Sequence, residues 1–195
     1  MGKFLENLHR ALVLGLFLMV LLVVLLHRSS VGEPAWAGYF LTYVHVFVGI
    51  LWIGLLYYFN FVQIPTMPKI PAELKPGVSK YIAPAALFWF RWAAAFTVLF
   101  GLITAAVKDD IVLTLEARAP YTTIGIGMWL AMIMAANVWF IIWPNQKKAL
   151  GIVKVEDAPK AKAARIAMIA SRTNTVLSFP MLYCMVMQGA ALNIG

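Results

Sequence analysis

The sequence predicts an all-α, polytopic membrane helix bundle, and three observations carry that prediction. The chain is 63% hydrophobic and only 12% charged, whereas soluble domains run near ~45–50% apolar and ~25% charged. Its mean hydropathy is +0.83. Five stretches, 11–27, 37–62, 84–107, 121–143 and 166–190, are apolar enough to cross a hydrocarbon core ~30 Å thick, which takes about 20 helical residues. None alternates with the period of two of a barrel strand, so helices are the only spanning option.

The elements follow in chain order. The first apolar stretch, with Lys3 and Arg10 before it, has the outline of a signal peptide. The small-residue triplet Ala35-Trp36-Ala37 lies too far beyond the apolar run for cleavage, so an uncleaved helix is expected. The segment 63–83, QIPTMPKIPAELKPGVSKYIA, holds four prolines and is expected to be irregular and packed near the membrane surface. In the loop 108–120, Asp109-Asp110 is placed to cap a short interfacial helix. The loop KALGIVKVEDAPKAKAAR is charged and solvated, and alanine-rich 158–170 is expected to start the last helix before it enters the bilayer. Trp36 and Trp143 fall at span ends, as an aromatic belt requires. Pro180 lies inside the fifth span, where a kink would free the Val176 carbonyl. With no linker or internal repeat, residues 1–195 read as one integral membrane domain.

The formal charge of +8 reads as an orientation signal. Segments 1–10, 63–83 and 144–165 carry 11 of the 16 cations, and the opposite side carries Arg28, Lys108 and Arg118. This asymmetry puts the N-terminus in the cytoplasm and the C-terminus outside, next to a bilayer whose anionic lipids favour the basic face. No nucleic-acid partner is implied. The one cysteine, Cys184, has no intrachain partner, and CxxCH, the haem attachment motif, does not occur.

Polar groups within lipid are costly and usually meet a partner or a cavity. His45 lies about 13 Å down the second helix from Trp36 at ~1.5 Å per residue, toward the outer half. Gly49 and Trp52 share its face one and two turns on. An imidazole beside a small residue and an indole suits a flat macrocycle, with His45 as the iron ligand, or equally a neutral histidine bonded to a neighbouring helix. Arg91 and Arg172 lie toward the cytoplasmic side, near Asn60, Gln63, Asn137 and Asn174, and no Asp or Glu falls in any span. Snorkelling to lipid phosphate would satisfy the two guanidinium groups. So would a planar anion, including haem propionates, since a guanidinium fork with amides suits planar oxygen-bearing ligands. In the fifth span Ser171, Asn174, Ser178, Met181 and Met185 recur at spacings of three and four. That stripe is either helix–helix packing or a cavity wall with a methionine as a soft ligand. The candidate cofactor-binding residues are therefore His45, Gly49, Trp52, Arg91, Arg172, Asn174 and Met181, with His45 the candidate metal ligand.

Four motifs carry a family resemblance: His45-x6-Trp52-Ile53-Gly54-x3-Tyr58-Phe59, the block Leu87 to Trp92 (LFWFRW), Asn137 to Gln146 (NVWFIIWPNQ) and Ser171 to Leu182 (SRTNTVLSFPML). Over spans two to five the chain resembles the membrane domain of the urate oxidase N-terminal family, which includes membrane urate hydroxylases. It is more distantly similar to the copper-resistance D and protoporphyrinogen oxidase membrane proteins. The resemblance implies a bacterial inner-membrane protein that oxidises urate to 5-hydroxyisourate and passes electrons to a c-type cytochrome. An external C-terminus agrees with a partner on that side. Two readings follow: a redox protein holding b-type haem or a small planar anion, or a non-catalytic subunit of a larger respiratory, photosynthetic or oxidase complex. A transporter ranks last, because no inverted repeat or intramembrane acid is apparent.

Overall fold

The structure, a computed structural model, describes residues 2–108 and 111–188. Among the described residues all regular structure is helical. Five long helices follow one another: α1 (Leu8–His27), α2 (Pro34–Lys69), α3 (Lys75–Lys108), α4 (Thr122–Ala149) and α5 (Asp157–Met187). The first four are long and apolar enough to cross a membrane. α5 is long enough but more polar, for a reason its packing supplies below.

The chain divides into two compact units, Met1–Phe40 and Leu41–Gly195. In the first, Asn7 caps α1, its side-chain oxygen accepting from the Arg10 amide at 3.3 Å. Leucine and valine cover α1 on every side, and none of its residues is buried. A helix apolar all round and unburied is built to face lipid. The turn after it uses Gly32 at φ +101°, a left-handed conformation that suits glycine. Pro34 then opens α2 at the first helical position, where its missing N–H costs nothing.

In the second unit the core is assembled from one face of each helix. α2 supplies Trp52, Leu56 and Phe59; α3 supplies Leu87, Phe90 and Ala94; α4 supplies Met134, Val138 and Ile142; α5 supplies Ala170 and Met181. The opposite faces leave large apolar side chains exposed, Phe47, Ile50, Phe61, Phe140, Phe179 and Val186 among them. Exposed apolar area on this scale marks a lipid-facing surface.

The pairing of α5 with α4 is the most extensive in the unit. The buried face of α5 runs Ala163, Ala167, Ala170, Ser171, Asn174, Ser178, Met181, Cys184, mostly small or polar side chains at helical spacing. Lipid tails are as apolar as leucine, so close backbone approach and interhelical hydrogen bonds hold such a seam together. The buried polar residues lower the hydropathy of α5 while facing protein. Gly127 of α4 lies tight against α5: a Cβ there would stand 2.8 Å from Cys184 Cβ. Gly127→Leu is therefore expected to push α4 and α5 apart and destabilise the bundle by about 1–3 kcal/mol, the usual range for overpacking. A fall in the detergent-solubilised melting temperature checks this.

The segment 63–83 differs from the sequence expectation. α2 runs on to Lys69 and α3 starts at Lys75, so the break is confined to residues 70–74. Pro76 occupies the first turn of α3, where proline lacks only an N–H that would be unpaired anyway, while Pro65 and Pro68 lie inside α2 where the helical winding changes. Wider π turns also occur at Tyr58–Gln63, Val78–Ile82 and Val138–Ile142. Each stands just ahead of a proline, Pro65, Pro84 and Pro144 respectively. Proline clashes with the carbonyl four residues back, and one extra residue in the turn moves that carbonyl aside. α5 continues through Pro180 without such a turn. A short helix, Ile111–Leu115, follows α3 as expected; its predicted caps, Asp109 and Asp110, lie outside the described residues. α5 begins at Asp157, ahead of its apolar part, as the alanine-rich approach predicted.

Candidate functional site

His45 is held between α2 and α3. Its Nδ1 lies 2.8 Å from the backbone carbonyl of Thr97. A carbonyl can only accept, so Nδ1 carries the proton, and the neutral ring keeps its free lone pair on Nε2. Among the described residues Nε2 has no hydrogen-bond partner. The ring lies against Gly101, where a Cβ would come 2.9 Å from Cε1 and 3.1 Å from Nδ1. Only glycine leaves that seat open. Gly49, one turn along α2, faces the Thr97 methyl at 3.7 Å from its own would-be Cβ.

His45 opens onto a small pocket that it lines together with Thr97, Gly101, Met128, Met132 and Met185. The volume is about 20 Å³, room for about one water or a single ion. A haem macrocycle does not fit there with the helices packed as they are. The sequence placed Met181 and Met185 on one stripe of α5, with Met181 among the candidate cofactor-binding residues. Met181 is buried in the core with Trp52, and Met185 lines the pocket with His45.

The remaining candidates form separate groups. Trp52 is fully buried in the core, and its indole Nε1 has no partner among the described residues. The Arg91 guanidinium lies 3.9 Å from the centre of the Trp143 ring and 5.3 Å from that of Phe88, so aromatic faces meet its charge. Its carbonyl accepts from Trp139 Nε1 at 3.1 Å. Arg172 is exposed between buried Ser171 and Asn174. No hydrogen bond or ion pair among the described residues joins the two arginines to His45 or to Asn174.

Asn174, 0% exposed, is the centre of a polar layer nearer the π turns. Its Nδ2 donates to the Met134 carbonyl at 2.9 Å, and its Oδ1 accepts from Asn137 Nδ2 at 2.7 Å. Asn137 Nδ2 also donates to the Ala170 carbonyl at 2.9 Å. Asn60 Nδ2 donates to Leu56 O and to Ser171 Oγ. Ser178 donates to Thr175 O, so Tyr57 is the donor in the 2.9 Å bond to Ser178 Oγ. The donors of Asn60, Asn137 and Asn174 are thus engaged, while the carbonyl oxygens of Asn60, Gln63 and Asn137 are buried and unpartnered. Such a layer offers acceptors, which suits N–H or O–H donors rather than an anion.

Sequence reasoning missed Thr97, Gly101, Met128 and Met132. Thr97 acts through its backbone, which no residue type announces. The methionines lie on α4 at a spacing of four, and only the fold brings them to His45.

Residues 103–193 match the model of the urate oxidase N-terminal family. The match takes in the end of α3, all of α4 and α5, and hence Met128, Met132, Asn137, Asn174 and Met185. No curated protein and no solved structure matches the chain.

Proposed function

We propose that this chain, whose residues 103–193 carry the urate oxidase N-terminal match, is a redox protein of a bacterial inner membrane. Its five helices cross the bilayer with the N-terminus cytoplasmic. The cation asymmetry read from the sequence supports that orientation. The protein-facing position of Ser171, Asn174 and Ser178 supports counting α5 as the fifth crossing despite its polarity. The reaction is the one the family implies: urate gains the oxygen of a water and releases two electrons and two protons to give 5-hydroxyisourate. The electrons pass singly to two molecules of an external c-type cytochrome.

The observation that carries this reading is the lock on His45: a span imidazole with Nδ1–H tied to Thr97 O and Nε2 left basic. That nitrogen can take up one of the protons released, as a general base does. The arginines fit the substrate less directly, since Arg91 is engaged by Trp143. Purified protein in lipid nanodiscs, given urate and oxidised cytochrome c, is expected to reduce the cytochrome. His45→Ala should lower the rate at least ~100-fold, the lower end of what a positioned proton acceptor contributes. A wild-type rate equal to the protein-free control would contradict the reading.

One observation favours the second reading, a non-catalytic subunit. The pocket beside His45 admits about 20 Å³, far short of a haem, and the spans hold no carboxylate. In that case the protein co-purifies with a larger membrane complex, and His45→Ala leaves the complex's activity unchanged.

A further inference from the structure

We infer that the seam between α3 and α4 carries a binding site for the headgroup phosphate of one anionic phospholipid, built on Arg91, Trp143 and Lys147. Two cations from different helices meet at one ring. The Arg91 guanidinium lies 3.9 Å from the centre of the Trp143 indole, and Lys147 Nζ lies 5.7 Å from the same centre. Those distances put the two charges no more than about 10 Å apart, roughly one screening length in dilute salt. Among the described residues neither Arg91 nor Lys147 forms an ion pair.

The indole meets the charge of Arg91 but not its donors. An aromatic face offers a cation its negative quadrupole and no lone pair, while a guanidinium carries five N–H groups that need acceptors. Among the described residues Arg91 bonds across the seam only through its carbonyl, which accepts from Trp139 Nε1 at 3.1 Å, and its guanidinium has no acceptor. A cation over an indole can simply be packing. A second like charge at the same ring, with no acid between them, is unfavourable until an anion joins the two. Phosphate does both jobs: two oxygens match the guanidinium fork, and its charge attracts the ammonium.

Depth and surface make that phosphate a lipid's. With Lys108 at one face of the membrane, Arg91 lies about 25 Å down α3 at ~1.5 Å per residue. That is just inside the opposite edge of a hydrocarbon core ~30 Å thick, next to the headgroup layer. Trp92 meets Trp139 edge to face at 5.4 Å and Phe96 at 6.0 Å, and Trp92 and Phe96 remain 40% and 43% exposed. Both follow Arg91 toward the middle of α3, so an acyl chain hanging from the phosphate runs over them. A free phosphate ion gains nothing from that surface. A net negative headgroup is also required, because choline would bring another cation beside Arg91, Lys147 and neighbouring Lys148. Arg172 differs: it is exposed, and no ring among the described residues seats it.

Lipid binding here does not depend on the urate reading. The test uses delipidated full-length protein in a mild detergent, with phosphatidylglycerol, phosphatidylcholine or inorganic phosphate added, and native mass spectrometry counts the lipids retained. One phosphatidylglycerol per chain is expected to survive release from the micelle, held at least about fivefold more tightly than phosphatidylcholine. About fivefold is what one basic residue contributes against an anionic lipid surface. Arg91→Gln and Lys147→Gln should each weaken phosphatidylglycerol binding by that factor. Lys154→Gln removes the same charge from an exposed loop position and should bind as the wild type does. Circular dichroism of each variant should match the wild type, and Lys147→Gln carries the test if Arg91→Gln does not fold. The proposal is overturned if the two lipids are retained alike, or if Lys147→Gln loses no more than Lys154→Gln. It is equally overturned if millimolar inorganic phosphate displaces the lipid, which would make the ligand a water-borne anion.

Discussion

Gly101→Val is expected to abolish function at His45 while leaving a folded bundle. The imidazole rests where the new side chain must go: even a bare Cβ would meet Cε1 at 2.9 Å and Nδ1 at 3.1 Å. Valine adds two methyl groups to that collision. The backbone of α3 cannot yield without disturbing Phe90, Ala93 and Ala94 in the core, so the ring must swing. Swinging breaks the 2.8 Å bond to Thr97 O and releases the tautomer. The stability cost is about 1–3 kcal/mol, as for other overpacked sites. The functional loss should equal that of His45→Ala. Parallel measurement of melting temperature and cytochrome reduction checks this. A variant that melts slightly lower yet keeps full activity would show that the seat on Gly101 is irrelevant.

Asn174→Leu is expected to give the largest loss of stability among single substitutions in the polar layer. Asn174 is fully buried and joins α5 to α4 twice, at Met134 O and at Asn137 Nδ2. Leucine keeps the branching at Cγ but is bulkier, and it removes both bonds. Asn137 then keeps Ala170 O but loses its second acceptor. Leaving a buried partner unsatisfied costs about 1–3 kcal/mol. Interhelical hydrogen bonds in membranes sit nearer ~0.6 kcal/mol each, because the unfolded chain in lipid finds other partners. About 1–3 kcal/mol for the pair is the range both considerations allow. Denaturation in mixed micelles measures it, and Ser178→Ala makes a useful comparison because only Tyr57 and Thr175 depend on that hydroxyl. An Asn174→Leu protein as stable as the wild type would remove the polar layer from the account of α4–α5 pairing.

What the sequence revealed, and what it hid, follows from the range of each interaction. Apolar run length set the positions of all five long helices. The spacing of Ser171, Asn174 and Ser178 marked the buried face of α5 before any fold was known. The segment 63–83 was misread because proline usually interrupts a helix. Here Pro76 falls in the first turn of α3, and π turns precede Pro65, Pro84 and Pro144. For Arg91 the sequence left lipid phosphate and a planar anion both open, because no span carboxylate opposes it. The fold adds a contact no sequence pattern announces, the face of Trp143, far along the chain and on another helix. Arg172, alike in depth and charge, faces outward. His45 was legible as a residue, but its environment was not. Thr97 contributes a carbonyl, Gly101 contributes an absence, and the methionines arrive from two other helices.

The lock on His45 can be read directly from the imidazole ¹⁵N shifts of histidine-labelled protein in nanodiscs. The chain has three histidines, so the His45 signals are those lost in His45→Asn. The account predicts a protonated, pyrrole-like Nδ1 together with a pyridine-like Nε2. A proton found on Nε2 instead, with Nδ1 bare, would contradict the bond to Thr97 and every functional conclusion that rests on it.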